Sequence, residues 1–172
     1  KNEPNNKIFD QLNNFGPSKY NGQINKINSY KFSKLENFNQ FNFEPLILSD
    51  GVIVFEKKGT IIRFNDNKKV VWKNNFYSKT EKKIHPTLSF AITDKNLLVA
   101  DSIAKISNID LQSGDLIWSK KSEYPFNSEI KIFKDKFFVV DFKNTLRCFY
   151  IQDGSECWNI KTEESFTVSN SK

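Results

Sequence analysis

The sequence predicts an all-β protein built from about three copies of one four-stranded unit. Short apolar runs recur along the chain, turn residues separate them, and a tryptophan closes each copy, at Trp72, Trp118 and Trp158. The tryptophans are spaced 46 and 40 residues apart. Because the runs are short and rich in β-branched or aromatic side chains, they predict strands rather than helices.

The composition permits one domain with an aromatic core. Of the 172 residues, 38% are hydrophobic and 15% aromatic, and phenylalanine alone contributes 17. No apolar run approaches the roughly 20 residues of a membrane-spanning helix. The net charge of +6 comes mainly from scattered lysines, with Arg63 and Arg147 as the two arginines, whereas a nucleic-acid-binding surface is clustered and rich in arginine. We therefore expect neither a membrane span nor a nucleic-acid partner.

Three stretches align without gaps and define the strands of each unit. They are "GVIVFEKKGTIIRFN" (51–65), "NLLVADSIAKISNID" (96–110) and "KFFVVDFKNTLRCFY" (136–150), and their apolar positions coincide. Each stretch predicts two strands joined by a polar turn. The upstream runs "EPLILS", "HPTLSFAIT" and "SEIKIF" predict one further strand each, and the segment that carries the tryptophan predicts the fourth.

The turn before the last strand is the most regular part of the pattern. "LQSGDLIW" returns as "IQDGSECW", so that Gly114 and Gly154 precede Trp118 and Trp158 by the same distance. Glycine accepts the positive φ that such a turn requires, and the turn sets the face on which the tryptophan lies. A buried tryptophan removes about 150–250 Å² from water, at most about 4–6 kcal/mol. We predict that the tryptophans pack the units face to face.

Four strands in a unit of about 40 residues are typical of a β-propeller blade. The predicted fold is therefore a partial β-propeller of about three four-stranded antiparallel blades. Residues 44–172 are expected to hold the blades, at about 44–78, 84–122 and 126–162, and "ESFTVSNSK" is expected to start a further blade. Residues 1–43 are an N-terminal extension, partly irregular, in which "INSYKFSKL" predicts a strand; the alternative is a flexible tether.

Three blades are too few for a closed ring, since propellers typically have four to eight. The explanation we favour is that the chain is a fragment of a longer protein. The alternatives are closure by self-association through the open blade faces, and part of another blade within the N-terminal extension.

The segments around the tryptophans resemble the PQQ-like, or tryptophan-docking, β-propeller repeat. "SNIDLQSGDLIW" places Asp110, Gly114 and Trp118 at the positions of that repeat. "RCFYIQDGSECW" matches with a tyrosine where aspartate is usual, and "RFNDNKKVVW" is one residue shorter, with Lys68 in place of the glycine. The resemblance covers about residues 44–162.

Within this superfamily the chain is similar to BamB-type proteins. The stretch "EPLILSDGVIVFEKKGTIIRF" resembles the opening blade of those proteins. Those proteins are eight-bladed periplasmic lipoproteins without enzymatic activity, and they act as scaffolds in the outer-membrane β-barrel assembly machine. The resemblance implies a non-enzymatic, protein-binding scaffold in the periplasm or at the outer membrane, with a protein partner and no cofactor. The alternatives are a propeller fragment of a quinone-dependent dehydrogenase and a self-associating three-blade protein.

The sequence offers few residues for chemistry. His85 is the single histidine, and the sequence has no Cys/His cluster with metal-ligand spacing, phosphate loop or nucleophile elbow. We therefore predict no catalytic, cofactor-binding or metal-binding residue. Glu56, Asp101 and Asp141 recur at one position of each unit. We expect them to end strands and accept turn amides, with an acidic row on one propeller face as the alternative.

The two cysteines, Cys148 and Cys157, flank the predicted hairpin "FYIQDGSE". With a four-residue loop at 151–154 they are expected directly opposite each other, with Cβ atoms about 4.5–5.5 Å apart. That distance is slightly wide for a disulfide but within reach after local adjustment. The sequence leaves two alternatives: a disulfide formed in an oxidising compartment, or two small buried apolar side chains.

Overall fold

The computed structural model describes residues 45–162 together with Ser29. Over that range the chain forms three four-stranded antiparallel sheets, one after another along the sequence, and one short helix. The predicted fold class, an all-β partial β-propeller, is confirmed. Apart from Ser29, the strand predicted at "INSYKFSKL" lies outside the described residues, and so does the further blade predicted at "ESFTVSNSK".

Blade 1 pairs its strands in sequence order. It consists of β1 (Leu46–Leu48), β2 (Gly51–Phe55), β3 (Ile61–Asn65) and β4 (Val70–Asn74). Every residue of β2 is buried, as its continuous apolar run predicts for a strand covered on both faces. Strand β4 forms one edge of the sheet and is mostly exposed.

Blade 2 repeats this order with slightly longer strands. It consists of β5 (Leu88–Ile92), β6 (Asn96–Asp101), β7 (Lys105–Asp110) and β8 (Leu116–Lys121). The two central strands, β6 and β7, are almost entirely buried. Both faces of this sheet are covered, because blade 2 lies between the other two blades.

Blade 3 consists of β9 (Lys131–Phe133), β10 (Lys136–Val140), β11 (Thr145–Tyr150) and β12 (Glu156–Lys161). Along β10 buried and partly exposed residues alternate, unlike the continuous burial of β2. Successive side chains of a strand point to opposite faces. The alternation therefore shows that only one face of blade 3 is fully covered.

The link between blades 1 and 2 contains a helix, α1 (Lys79–Ile84), that the sequence analysis did not predict. Ser78 and Glu81 form a capping box: the Glu81 amide donates to Ser78 Oγ at 3.3 Å, and the Ser78 amide donates to Glu81 Oε2 at 2.7 Å. The spacing Ser-x-x-Glu was the available signal. In the described part of the chain, no helix has the length and hydrophobicity to cross a membrane.

Two hydrophobic clusters hold the blades together, one at each junction. Buried side chains of blades 1 and 2 and their link form the first cluster: Ile53, Phe55, Ile61, Trp72, Tyr77, Leu88, Leu97, Val99, Ile109 and Leu111. Blades 2 and 3 form the second: Leu98, Ala100, Ile106, Phe126, Ile130, Phe137, Val139, Phe149 and Ile151. Blades therefore stack face to face, as the repeated apolar positions predict.

A β-bulge recurs at the same place in all three sheets. The last strand of each blade contains one extra residue immediately before its tryptophan, and the register shifts there. The extra residues are Val71, Ile117 and Cys157. Because a bulge adds one residue to one strand only, it decides which residue of the neighbouring strand lies opposite the tryptophan.

Candidate interaction surface

Trp72 joins blade 1 to blade 2. Its side chain is only 7% exposed, and its Nε1 donates to the carbonyl oxygen of Leu111 at 3.1 Å. Its ring lies on Gly114, where a Cβ atom would come within 2.5 Å of the indole. Asn74 adds a hydrogen bond from Nδ2 to the Gly114 carbonyl at 2.8 Å. The glycine thus serves as a seat for the tryptophan of the preceding blade.

Trp118 joins blade 2 to blade 3 in the same way. Its Nε1 donates to the carbonyl oxygen of Ile151 at 2.9 Å, and a Cβ atom on Gly154 would lie 2.6 Å from its ring. Gly154 has a φ of +65° and Gly114 a φ of +78°. Each glycine is therefore required twice, by the turn and by the close approach of the ring.

A second donor reinforces each of these contacts. Arg63 lies opposite Trp72 and donates from a guanidinium nitrogen to the Leu111 carbonyl at 2.7 Å. Asn108 lies opposite Trp118 and donates from Nδ2 to the Ile151 carbonyl at 3.0 Å. One backbone oxygen thus accepts two bonds at each junction. The sequence analysis missed this role, because arginine, asparagine and cysteine share no obvious chemistry at the equivalent position.

Trp158 occupies the equivalent position in blade 3, but no described blade follows it. It is 41% exposed and lies 5.8 Å, centroid to centroid, from the ring of Phe138. The strand register places it on the face turned away from blade 2. We call this face the open face and define it by its large apolar side chains: Phe133, Phe138, Tyr150, Trp158 and Ile160.

The opposite end of the stack is built differently. In blade 1 the residue at the glycine position is Lys68, with a φ of +62°. The adjacent sheet face, on the side away from blade 2, carries a separate cluster that is at most 8% exposed: Val52, Val54, Ile62 and Phe64. Ile47 and Val70 lie on this same face and are 51% and 53% exposed. Among the described residues, this end therefore differs from the open face chiefly in having a lysine where the other blades have a glycine seat.

Two of the three recurring acids, Asp101 and Asp141, accept amides within their own turns, as expected. Asp101 Oδ1 accepts the amides of Ile103 and Lys105 at 3.0 and 2.7 Å. Asp141 Oδ1 accepts the amides of Lys143 and Thr145 at 2.8 and 3.0 Å. Glu56, the third of these acids, has its carboxylate 3.1 Å from the Nζ atom of Lys73. Asp101 and Asp141 are 2% and 0% exposed, so the alternative of an exposed acidic row does not apply to them.

The second oxygen of each aspartate binds a different partner. Tyr77, from the link that precedes α1, donates its hydroxyl to Asp101 Oδ2 at 2.7 Å. Burial raises the pKa of Asp101, and burial together with the nearby carboxylate raises the pKa of Tyr77. Arg147 instead donates to Asp141 Oδ2 at 2.8 Å. Both aspartates therefore stabilise their turns and the side chains bound to them, and neither carboxylate points to a ligand site.

Arg147 borders a cleft of about 300 Å³ between blades 2 and 3. Lys120 and Lys121 also line this cleft, and so do Glu123 and Glu156, so that its lining carries both charges. Arg147, however, is bound to two carboxylates, Asp141 at 2.8 Å and Glu156 at 2.8 Å. Because its charge is already paired, the cleft is a poor site for an anionic ligand.

Asp110 caps the turn that contains the glycine seat. Its Oδ1 accepts the amides of Gln112 at 2.9 Å and Ser113 at 2.8 Å. Hydrogen bonds from these amides lower the pKa of Asp110. Asp153 does the same in blade 3, where the Ser155 amide donates to it at 2.9 Å and lowers its pKa. Asp110 thus supports the seat for Trp72 from the solvent side.

The cysteines do not lie directly opposite each other. The four-residue loop forms as expected, and the Tyr150 amide donates to the Ser155 carbonyl at 2.9 Å. The bulge at Cys157 then shifts the register, so that Trp158 lies opposite Cys148. Both thiols are free, Cys148 buried and Cys157 partly exposed. The disulfide itself stays a prediction.

His85 ends α1 with a left-handed backbone conformation at a φ of +57°. Among the residues that the structure describes, no group of three or more histidine, cysteine, aspartate or glutamate side chains is arranged to hold a metal ion.

Comparison with known proteins agrees with this fold. The family model described as outer membrane protein assembly factor BamB matches residues 35–171. No curated protein matches the chain.

Several solved propellers superpose on the described blades. BamB from Moraxella catarrhalis has a TM-score of 0.59 at 17% identity, over 72% of this chain and 37% of that chain. Quinohemoprotein alcohol dehydrogenase from Pseudomonas putida HK5 has a TM-score of 0.59 at 13% identity, over 69% and 20%. A europium-containing methanol dehydrogenase has a TM-score of 0.58 at 12% identity, over 69% and 24%. These likenesses show the fold alone, and this chain spans at most 37% of each protein's length.

Proposed function

We infer a function from one premise: this chain belongs to the protein family described as outer membrane protein assembly factor BamB. We propose that it is a non-enzymatic scaffold of the bacterial envelope, periplasmic or associated with the outer membrane. Its partner is a protein, a subunit of the machinery that assembles outer-membrane β-barrels. The match over residues 35–171 is the observation that carries this proposal.

The open face supports a protein partner over a small molecule. Each described junction buries the same kind of surface, a sheet face with a central tryptophan, against the strands of a neighbouring blade. The open face presents Trp158, 41% exposed, with Phe133 and Ile160 at 63% and 56%. An exposed apolar patch of this kind marks an interaction surface, and a β-rich partner covers it as a blade does.

The direct test is binding of the 172-residue chain to purified subunits of a barrel-assembly machine, measured by titration calorimetry. We expect saturable binding that weakens at least tenfold in Trp158→Ala. Phe142→Ala is the matched control, because Phe142 is 49% exposed but lies in the turn after β10, outside the open face. If none of the subunits shows saturable binding, the proposal is refuted.

A quinone-dependent dehydrogenase fragment is the alternative, since two of the similar folds are alcohol or methanol dehydrogenases. It predicts that the chain binds pyrroloquinoline quinone with calcium, which a shift of the quinone absorbance would reveal. Our proposal expects no such shift. A self-associating three-blade protein is the third candidate, and light scattering at several concentrations tests it, because a strict monomer contradicts it.

A further inference from the structure

The last two strands of blade 3 bring the two cysteines of the chain together. Cys148 lies at the centre of β11 and is 0% exposed. Cys157 is the bulge residue of β12, next to Trp158, and is partly exposed. Although the bulge removes them from direct opposition, Cys157 directly precedes Trp158, the residue opposite Cys148, so the two cysteines lie on paired strands one position apart. A bridge between them requires a local adjustment of the strand and the side chains at the bulge.

We propose that Cys148 and Cys157 form a redox-active pair that a disulfide-type oxidant converts to a bridge between β11 and β12. The accessible Cys157 thiolate attacks one sulfur of the oxidant, whose own disulfide breaks and releases one thiol. The Cys148 thiolate then attacks the Cys157 sulfur of this mixed disulfide and releases the second thiol. Two cysteines are thereby oxidised by two electrons, the oxidant is reduced to two thiols, and the cysteine protons pass through solvent to the leaving thiolates.

The position of Cys148 gives this bridge a consequence for the open face. Cys148 lies opposite Trp158, as Arg63 lies opposite Trp72 and Asn108 opposite Trp118. Arg63 and Asn108 both donate a hydrogen bond across their junction. Oxidation removes the thiol hydrogen from the equivalent position and ties β12, an edge strand, to the interior of the sheet. The redox state therefore sets how firmly the strand that carries Trp158 is held.

The order of the two steps follows from the environment of each thiol. Cys148 is inaccessible to an external disulfide because it is fully buried, so the first attack falls to Cys157. Burial, together with the nearby Cys157 thiol, raises the pKa of Cys148 to about 11. Since the thiolate is the nucleophile, the second step is slow at neutral pH and accelerates about tenfold per pH unit below this pKa.

The experiment treats the folded 172-residue chain with oxidised glutathione at pH 7 and at pH 9. Products are identified by mass spectrometry after thiol alkylation under denaturing conditions. We expect a monomer that has lost two hydrogens and carries no alkylated cysteine, formed about 100-fold faster from the mixed disulfide at pH 9. We also expect its Tm to rise by about 5 °C, because the bridge restricts the unfolded chain.

Cys157→Ser is the matched control, since it changes one atom at a partly exposed position and leaves the buried thiol in place. It should stay reduced under folded conditions and keep the Tm of the reduced chain. A glutathione adduct on Cys157 that persists at pH 9 would overturn the proposal, and so would bridges only between two chains. The test uses no barrel-assembly component, so its outcome is independent of the proposed scaffold function.

Discussion

Trp72 and Trp158 are the same side chain at the same position of two blades, yet their surroundings differ completely. Trp72 is 7% exposed, donates a hydrogen bond and rests on a glycine of the next blade. Trp158 is 41% exposed and contacts the ring of Phe138 in its own sheet. The difference teaches that the repeated tryptophan contributes to the stability of a junction and little to the blade that carries it.

The largest expected effect separates these two tryptophans directly. Trp72→Ala should lower the free energy of unfolding by about 3–5 kcal/mol, because it opens a cavity in the first junction. Trp158→Ala should cost less, about 2 kcal/mol, because 41% of that residue is already in water. Urea unfolding followed by circular dichroism measures both. Equal costs would show that the tryptophan stabilises its own blade instead.

The seat can be removed without touching the tryptophan. Gly114→Ala should cost about 2–4 kcal/mol, because the new Cβ meets the Trp72 ring at 2.5 Å and the backbone has a φ of +78°. Gln112→Ala, in the same turn and exposed, should stay within about 0.5 kcal/mol. Thermal unfolding of the two variants tests whether the loss of stability is specific to the glycine position or follows from any substitution in this turn.

The second donor should have a smaller and coupled effect. Asn108→Ala should cost about 2 kcal/mol, because it leaves the Ile151 carbonyl with one donor and removes a buried side chain. Trp118→Phe removes the other donor to the same oxygen. A double-mutant cycle of these two should therefore be non-additive. The control cycle pairs Asn108→Ala with Trp72→Phe, across different junctions, and additivity is expected there.

The smallest expected effect is the pH dependence of stability. It should have opposite signs for the buried Asp101 and the partly exposed Asp110. Asp101 has a raised pKa in the folded protein because it is buried, so the folded state binds its proton more tightly than the unfolded state does. Its contribution is most favourable below its ordinary pKa and falls as the pH rises through its folded pKa. The stability difference between wild type and Asp101→Asn should therefore decrease with pH across that window.

Asp110 provides the matched control, because backbone hydrogen bonds lower its pKa. Its contribution is present above the ordinary aspartate pKa and is lost as the pH falls through its lower folded value. The difference between wild type and Asp110→Asn should therefore increase with pH. Thermal unfolding between pH 2 and pH 7 measures both differences, and the same sign for both would contradict the burial of Asp101.

The strands were predictable from the sequence, because their signals are local. Runs such as "GVIVF" and "NLLVAD" carry the side chains that a pleated, buried sheet requires, and the structure places β2 and β6 on them. The turns at Gly114 and Gly154 were equally predictable from the sequence. The capping box at Ser78 was an equally local signal for α1, but the sequence analysis did not use it.

The shared carbonyl at each junction could not be predicted in this way. The hydrogen bond from Arg63 to the Leu111 carbonyl joins residues 48 positions apart. No spacing of residues within one blade predicts it. The bulge at Cys157 was missed because alternation alone assigns every residue of a strand to a face, whereas a bulge inserts one residue without a pairing partner. The cysteines therefore do not lie directly opposite each other, although they remain on paired strands one position apart.

Lys68 gives the stack a direction. Every described junction needs a tryptophan on one side and a glycine seat on the other, and the first described blade lacks that seat. The described residues of blade 1 therefore offer no glycine seat to Trp158 of a second copy. A pairing through two open faces obeys a two-fold axis and is complete at two copies, whereas head-to-tail contacts propagate into filaments. Within the described residues, the lysine at this turn thus leaves the tryptophan-on-glycine contact available between successive blades and removes it between Trp158 of one copy and blade 1 of another.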